Sequence, residues 1–148
     1  MTNPEEKAYF IKIDITIKKI RVDIQKQLNK QGFDLTVDQW VVLESISQQQ
    51  GISQNEVAEI TAKDAPTITR ILDLMQKKGI IQRILAENDA RKYKIMLTPY
   101  GEQLHRKVKP VVSEVRKKGW GNLSDTDYNT LVRIMDSIHK NITEADEL

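Results

Sequence analysis

The sequence predicts a mainly α-helical chain carrying one small β-hairpin. Three observations lead there. Apolar residues recur at three- and four-residue steps through most of the 148 residues, as on the buried faces of helices. Ser, Thr and Asp stand where those stripes begin, and Gly stands where several of them end. Only the stretch Ile80–Leu97 breaks this rhythm. It divides into two short alternating apolar runs around a charged middle, Glu87-Asn88-Asp89-Ala90-Arg91-Lys92, as the two strands of a hairpin do.

Residues 9–17, YFIKIDITI, alternate at Ile11, Ile13, Ile15 and Ile17, which locally favours a strand. Over a longer window Phe10, Ile13, Ile17, Ile20, Ile24 and Leu28 follow helical steps, with Ile11, Ile15 and Val22 as a second stripe. No turn residue intervenes before Gly32, so a helix is expected over roughly 5–30. Its two apolar stripes call for cover on more than one side, as a dimer interface would supply. Thr36-x-x-Gln39 is a capping box opening a helix with Trp40, Leu43 and Ile46 on one face and Gly51 just past its end. Ser53-x-x-Glu56 opens a shorter one with Val57, Ala58 and Ile60. After the break at Ala62-Lys63, Asp64 caps a third, with Pro66 tolerated in its first turn. Ile68, Ile71, Leu72 and Met75 form its inward stripe, Lys77 and Lys78 suit its negative end, and Gly79 stops it.

Ile80–Leu85 and Tyr93–Leu97 are the expected strands. The seven residues between them contain no Asn-Gly, Asp-Gly or Gly-Gly pair for a tight turn, so a long charged loop is expected. Thr98 caps and Pro99 starts a long helix through Leu104, Val108, Val111, Val112 and Val115, bent at Pro110 and broken at Gly119-Trp120-Gly121. Ser124 caps the last helix, with Leu123 and Tyr128 at hydrophobic-staple spacing. Leu131, Ile134, Met135, Ile138 and Ile142 continue its stripe.

The composition, 39% hydrophobic and 30% charged, is ordinary for a soluble domain. No apolar run approaches the ~20 residues needed to span a bilayer, and MTNPEEKAYF lacks the features of a secretory signal. A cytoplasmic protein is expected. The absence of cysteine excludes disulfides, thiol switches and thiolate metal sites. His105 and His139 have no partner at metal-ligand spacing. His105 is expected as a half-exposed helix residue, and His139 at a surface or interface. Asp125 and Asp127 suit the first turn of a helix rather than a catalytic pair. No glycine-rich loop offers a phosphate cradle. No enzyme activity, metal or cofactor is expected.

The formal net charge of +2 says little by itself; its distribution says more. Between Thr61 and Lys94 stand eight basic residues (Lys63, Arg70, Lys77, Lys78, Arg83, Arg91, Lys92, Lys94) against four acidic ones (Asp64, Asp73, Glu87, Asp89). A basic segment in a mildly acidic frame is the footprint of a polyanion partner. Two short helices across a tight break, followed directly by a hairpin, compose a winged helix-turn-helix. Such a motif leads with the N-terminal residues of its second helix in the DNA major groove. The inward stripe leaves Ala65, Pro66, Thr67, Thr69 and Arg70 nearer the outer face, where hydroxyls, methyls and a guanidinium suit phosphates and base edges. The hairpin tip serves no core. An Arg such as Arg91 suits a narrow minor groove, with Asp89 aligning it and Lys92 and Lys94 reaching flanking phosphates.

The run Ser53-Gln54-x-x-Val57-Ala58, Thr67-Ile68-Thr69-Arg70-Ile71-Leu72, Lys77-Lys78-Gly79-Ile80-Ile81-x-Arg83, Asn88-Asp89-Ala90-Arg91-Lys92 and Leu97-Thr98-Pro99-x-Gly101-x-x-Leu104 resembles the MarR family of bacterial transcriptional regulators. Ala90 departs from it, since the family often has a second basic residue there. The resemblance implies an obligate homodimer built on the first and last helices. The expected division is a dimerisation helix over 1–34, a winged helix-turn-helix over 35–98 and further dimerisation helices over 99–148, intertwined as a single domain. It implies a repressor on a pseudo-palindromic operator, with Ser53, Gln54, Lys63, Ala65, Pro66, Thr67, Thr69, Arg70, Asp89, Arg91, Lys92 and Lys94 toward double-stranded DNA. Many members release DNA on binding a small aromatic or lipophilic effector, for which Phe10, Ile13, Trp40, Leu43, Tyr100 and Leu104 are the candidates. The rival reading is a winged helix that binds protein instead of DNA.

Overall fold

The computed structural model describes residues 3–86 and 89–145, and the side chains of residues 86, 89–92 and 145 lie outside that description. A 3-10 turn at Pro4–Glu6 precedes α1 (Tyr9–Lys30), α2 (Val37–Gln48), β1 (Ile52–Ser53), α3 (Gln54–Thr61) and α4 (Ala65–Lys77). β2 (Ile81–Ala86), β3 (Asp89–Leu97), α5 (Pro99–Trp120) and α6 (Asp125–Ala145) follow. Among the described residues, no helix is long and apolar enough to cross a membrane.

The caps read from the sequence are made. Thr36 Oγ1 accepts from Gln39 N while Gln39 Oε1 accepts from Thr36 N, completing the capping box of α2. Ser53 Oγ accepts from Glu56 N. The Glu56 carboxylate turns instead to Gln49 Nε2, 3.4 Å away. Asp64 caps α4 through Thr67 N at 2.8 Å, and Thr98 Oγ1 caps α5 through Gly101 N at 3.0 Å. Ile68, Ile71, Leu72 and Met75 are the buried residues of α4. α5 continues through Pro110.

Three expectations need correction. The first helix does not start near residue 5. Asn3 caps a separate 3-10 turn there, and α1 begins at Tyr9 after Ala8, which makes no side-chain cap. The sheet has three strands, in the order β1-β3-β2, all antiparallel. β1 escaped notice because two residues are too few to show a period. The hairpin arms are also longer than expected: β3 starts at Asp89, with Leu85 opposite Tyr93 but Ala86 opposite Asp89. Three residues of β3 are accommodated at that register shift, a bulge-like irregularity. Their polarity argued for a loop, but strand pairing is a backbone property and needs no apolar side chain where no core is covered. Residues 87–88 lie outside the described residues.

The chain divides into two compact units, Met1–Val115 and Arg116–Leu148. In the first, Ile24 and Leu28 of α1, Trp40, Val42, Leu43 and Ile46 of α2, Val57 of α3 and the inward stripe of α4 meet Ile52, Ile81, Ile95 and Leu97 of the sheet and Leu104, Val108 and Val112 of α5. The rest of α1 contributes little to this core, and Phe10, Ile11, Ile13, Ile15, Ile17, Ile20 and Val22 remain exposed. In the second unit, Ser124 and Asp127 form a reciprocal cap at the start of α6. Trp120 meets Tyr128 edge-on at 5.8 Å, while Leu123, Leu131, Val132, Ile134 and Ile142 are exposed.

Candidate nucleic-acid interface

The turn between α3 and α4 is closed by its own backbone. Ala62 takes a left-handed conformation, φ 53, and Lys63 N bonds back to Ala58 O. One residue later Asp64 caps α4. Bonded by the hydroxyl and N–H of Thr67, its carboxyl lies below the ordinary aspartate range, because both bonds favour the ionised form. Asp64 is thereby an ionised N-cap that aligns with the helix dipole.

With the inward stripe buried, Ala65, Pro66 and Arg70 stand exposed, and Thr67 and Thr69 are half-buried. Thr69 is more committed than its spacing suggested. Its hydroxyl donates to Ala65 O at 2.9 Å and accepts from Gln54 Nε2 at 2.8 Å. One acceptor lone pair remains on Thr69, whereas Gln54 keeps its amide oxygen and a second N–H. A side-chain amide can bond adenine in a bidentate manner. The arrangement makes Thr69 the support and leaves Gln54 with more free hydrogen-bonding groups than Thr69. Two residues far apart in sequence carry no periodic signal of such a pairing.

A cleft of about 620 Å³ opens between α3, α4 and the hairpin, lined by Ser53, Gln54, Asn55, Glu56, Thr69, Arg83 and Tyr93. Arg83 pairs with Asp73 and donates to Gln76 Oε1, both on α4, which ties β2 to the helix. Lys78 reaches the start of α2, bonding Asp34 O and Gln39 Oε1 at 3.1 Å each. Lys63, expected toward DNA, points to α2 instead and lies 3.1 Å from Asp38 Oδ1. Three of the basic residues counted above are thus engaged within the chain, while Arg70, Lys77 and Lys94 are exposed. Lys94 extends from β3 opposite Ser53 and Ile84. The side chains of Asp89, Arg91 and Lys92, expected at the tip, lie outside the described residues.

The effector candidates are scattered in a single chain. Trp40, Leu43 and Leu104 belong to the core, while Phe10, Ile13 and Tyr100 are exposed. Trp40 is covered by His105, stacked at 5.3 Å. His105 is more enclosed than expected, with a side chain 12% exposed and Nε2 3.1 Å from Glu44 Oε2. The helical spacing of His105 could not show that Trp40 would cover it. His139 is exposed. Among the described residues no cluster of three or more His, Asp or Glu side chains is placed to hold a metal ion.

Residues 35–93 match the model of the MarR family. Solved structures share the architecture over nearly the whole chain. A cysteine-to-serine variant of MarR from E. coli, complexed with operator DNA, is 23% identical and superposes with TM-score 0.80 over 93% of this chain and 99% of its own. The S. aureus MepR–DNA complex gives 22% identity and TM-score 0.81 over 92% and 99%. The transcriptional regulator SlyA gives 18% identity and TM-score 0.83 over 94% and 96%. At these identities the likeness is one of fold.

Proposed function

We propose, from the match of residues 35–93 to the MarR family model, that this chain is a sequence-specific, double-stranded DNA-binding transcriptional regulator. It acts as a homodimeric cytoplasmic repressor on a pseudo-palindromic operator, and a small aromatic or lipophilic molecule releases it. The observation that carries the reading is the start of α4: an ionised cap at Asp64, Ile68, Ile71, Leu72 and Met75 buried, and Ala65, Pro66 and Arg70 left outward. Helix N-termini presented in this way suit the major groove, one per half-site. Two neighbours of the same fold were solved with DNA, which supports the same partner here.

Dimerisation is supported by the exposed isoleucines of α1 and, separately, by the exposed apolar residues of α6, more apolar surface than a monomer ordinarily leaves in water. Arg91, with Asp89 two residues before it in sequence, is assigned to the minor groove, and Lys92 and Lys94 to phosphates. An effector site built from Phe10, Ile13, Trp40, Leu43, Tyr100 and Leu104 would be completed by the second copy.

The test is a titration of purified protein onto the DNA upstream of its own gene, and onto an unrelated duplex, at several salt concentrations. Several phosphate contacts per dimer make log affinity fall linearly and steeply with log salt, and the upstream DNA should bind more tightly throughout. Equal affinity for both duplexes would refute sequence-specific regulation. No duplex binding at all would favour a protein-binding winged helix.

A further inference from the structure

Three helices end on the same closure, a left-handed residue flanked by two backbone bonds into the last turn. After α1, Gly32 N bonds Asn29 O and Phe33 N bonds Leu28 O; after α4, Gly79 N bonds Gln76 O and Ile80 N bonds Met75 O. After α3, Ala62 N bonds Glu59 O and Lys63 N bonds Ala58 O. The residue after the left-handed one ordinarily lays an apolar side chain on the turn just closed. Phe33 and Ile80 fit that habit, and Lys63 does not.

The charge of Lys63 is met from another helix. Its Nζ lies 3.1 Å from Asp38 Oδ1 in the first turn of α2, and Arg21 of α1 pairs with the same oxygen. The Lys63 side chain is only 25% exposed, against 70% for Lys18 in a surface pair on α1. Burial opposes ionisation of Asp38, but hydrogen bonds from Lys63 and Arg21 outweigh it and hold the carboxyl below its ordinary range. Gln25 braces the same corner, accepting from Val37 N and donating to Leu35 O at 3.0 Å each.

Resting on the DNA-binding reading above, we propose that Asp38 is an internal competitor of the DNA backbone: its carboxylate holds Lys63, the basic residue beside the cap of α4, in an autoinhibitory ion pair. A carboxylate and a phosphate offer an ammonium group the same charge-assisted bond. Lys63 adjoins the end of α4 that leads toward the groove, so in the unaltered protein the pair withholds one phosphate contact per protomer, which release of Lys63 from Asp38 would add. Arg21 shares the oxygen, so Asp38 keeps a cation when Lys63 leaves, and the exchange is reversible. Affinity is thereby set partly from α1, through Arg21.

The experiment compares the unaltered protein with Asp38→Asn, Lys63→Gln and the double variant, on a duplex of arbitrary sequence over a fourfold range of salt. Freed Lys63 should steepen the log–log salt slope of Asp38→Asn by about 0.9 per protomer, roughly a tenfold larger drop in affinity for a dimer over that range. The gain should vanish in the double variant, and Lys63→Gln alone should leave the original slope unchanged. An unchanged slope in Asp38→Asn, or a gain that persists in the double variant, overturns the proposal. So does a shallower slope in Lys63→Gln, which would make Lys63 a phosphate anchor already; this single variant decides even if Asp38→Asn fails to fold. Without DNA, amine-reactive labelling of Lys63 should rise several-fold in Asp38→Asn, and unchanged labelling overturns the pairing. If labelling rises but no variant binds duplex, the DNA-binding reading falls and the competition falls with it, while the ion pair stands.

Discussion

Gln54 and Thr69 are coupled by one hydrogen bond, so their substitutions should not act independently. Thr69→Ala and Gln54→Ala are each expected to weaken binding to the preferred operator by roughly 1–3 kcal/mol, the usual worth of an oriented base contact. The double variant should lose little more than the larger single loss, and additive losses in a double-mutant cycle would show that the two residues act separately. Arg91→Ala should weaken binding while leaving the dimer folded; unchanged affinity would remove Arg91 from the minor groove. Asp38, Glu44 and Asp64 are all held below their ordinary ranges. Burial works against ionisation at Asp38 and Glu44 but is outweighed by hydrogen bonds, from Lys63 and Arg21 in one case and from Gln48 and His105 in the other. A carboxylate with a lowered folded pKa adds stability that is complete above its unfolded value and fades as pH falls through the folded one. Thermal midpoints should therefore hold at neutral pH and decline below about pH 4, less steeply in Asp64→Asn, whose side chain can still cap. A midpoint that rises on acidification would contradict these assignments.

At the scale of elements, the joint between β2 and α5 is the least forgiving contact. Thr98 N bonds Ile80 O and Thr98 Oγ1 donates to Gly79 O, which draws the start of α5 against the sheet. A Cβ on Gly101 would sit 2.0 Å from the Ile80 carbonyl oxygen, and a backbone atom cannot turn aside as a side chain can. Gly101→Ala should cost about 2 kcal/mol in urea unfolding despite alanine's better helix propensity; a neutral or stabilising result would mean that this joint yields. The side-chain caps and the inward face of α4 were legible in the sequence because they are local: Thr36, Ser53, Asp64, Thr98 and Ser124 each sit three residues before the N–H they cap. The start of α1, where Ala8 makes no such bond, was not. The site was legible only in part. The outward position of Ala65, Pro66 and Arg70 follows from the spacing of Ile68, Ile71, Leu72 and Met75. The diversion of Lys63 to Asp38 and the support of Gln54 by Thr69 are contacts between different helices, which periodicity does not encode. β1 and the full length of β3 were missed because pairing partners, not side-chain pattern, make them strands.

For the whole molecule, the exposed face of α1 sets the expected assembly. Ile17→Asp should convert a dimer to monomer in analytical ultracentrifugation and lower operator affinity by at least about a hundredfold, through loss of two-site attachment. A variant that stays dimeric would place the interface elsewhere. Within Met1–Val115, Ser53 belongs to two elements at once: it faces Lys94 in the sheet and caps α3 through its hydroxyl. That double membership divides the chain into stretches that can and cannot change length. Residues added beyond Leu85 and Tyr93 lengthen the arms and leave Ser53 where it is. One residue inserted between Lys94 and Leu97 would reverse the faces of every strand position after it and displace the hydroxyl that starts α3. Across related chains, the hairpin tip should be free to drift in length while the few residues at its base keep an unbroken count.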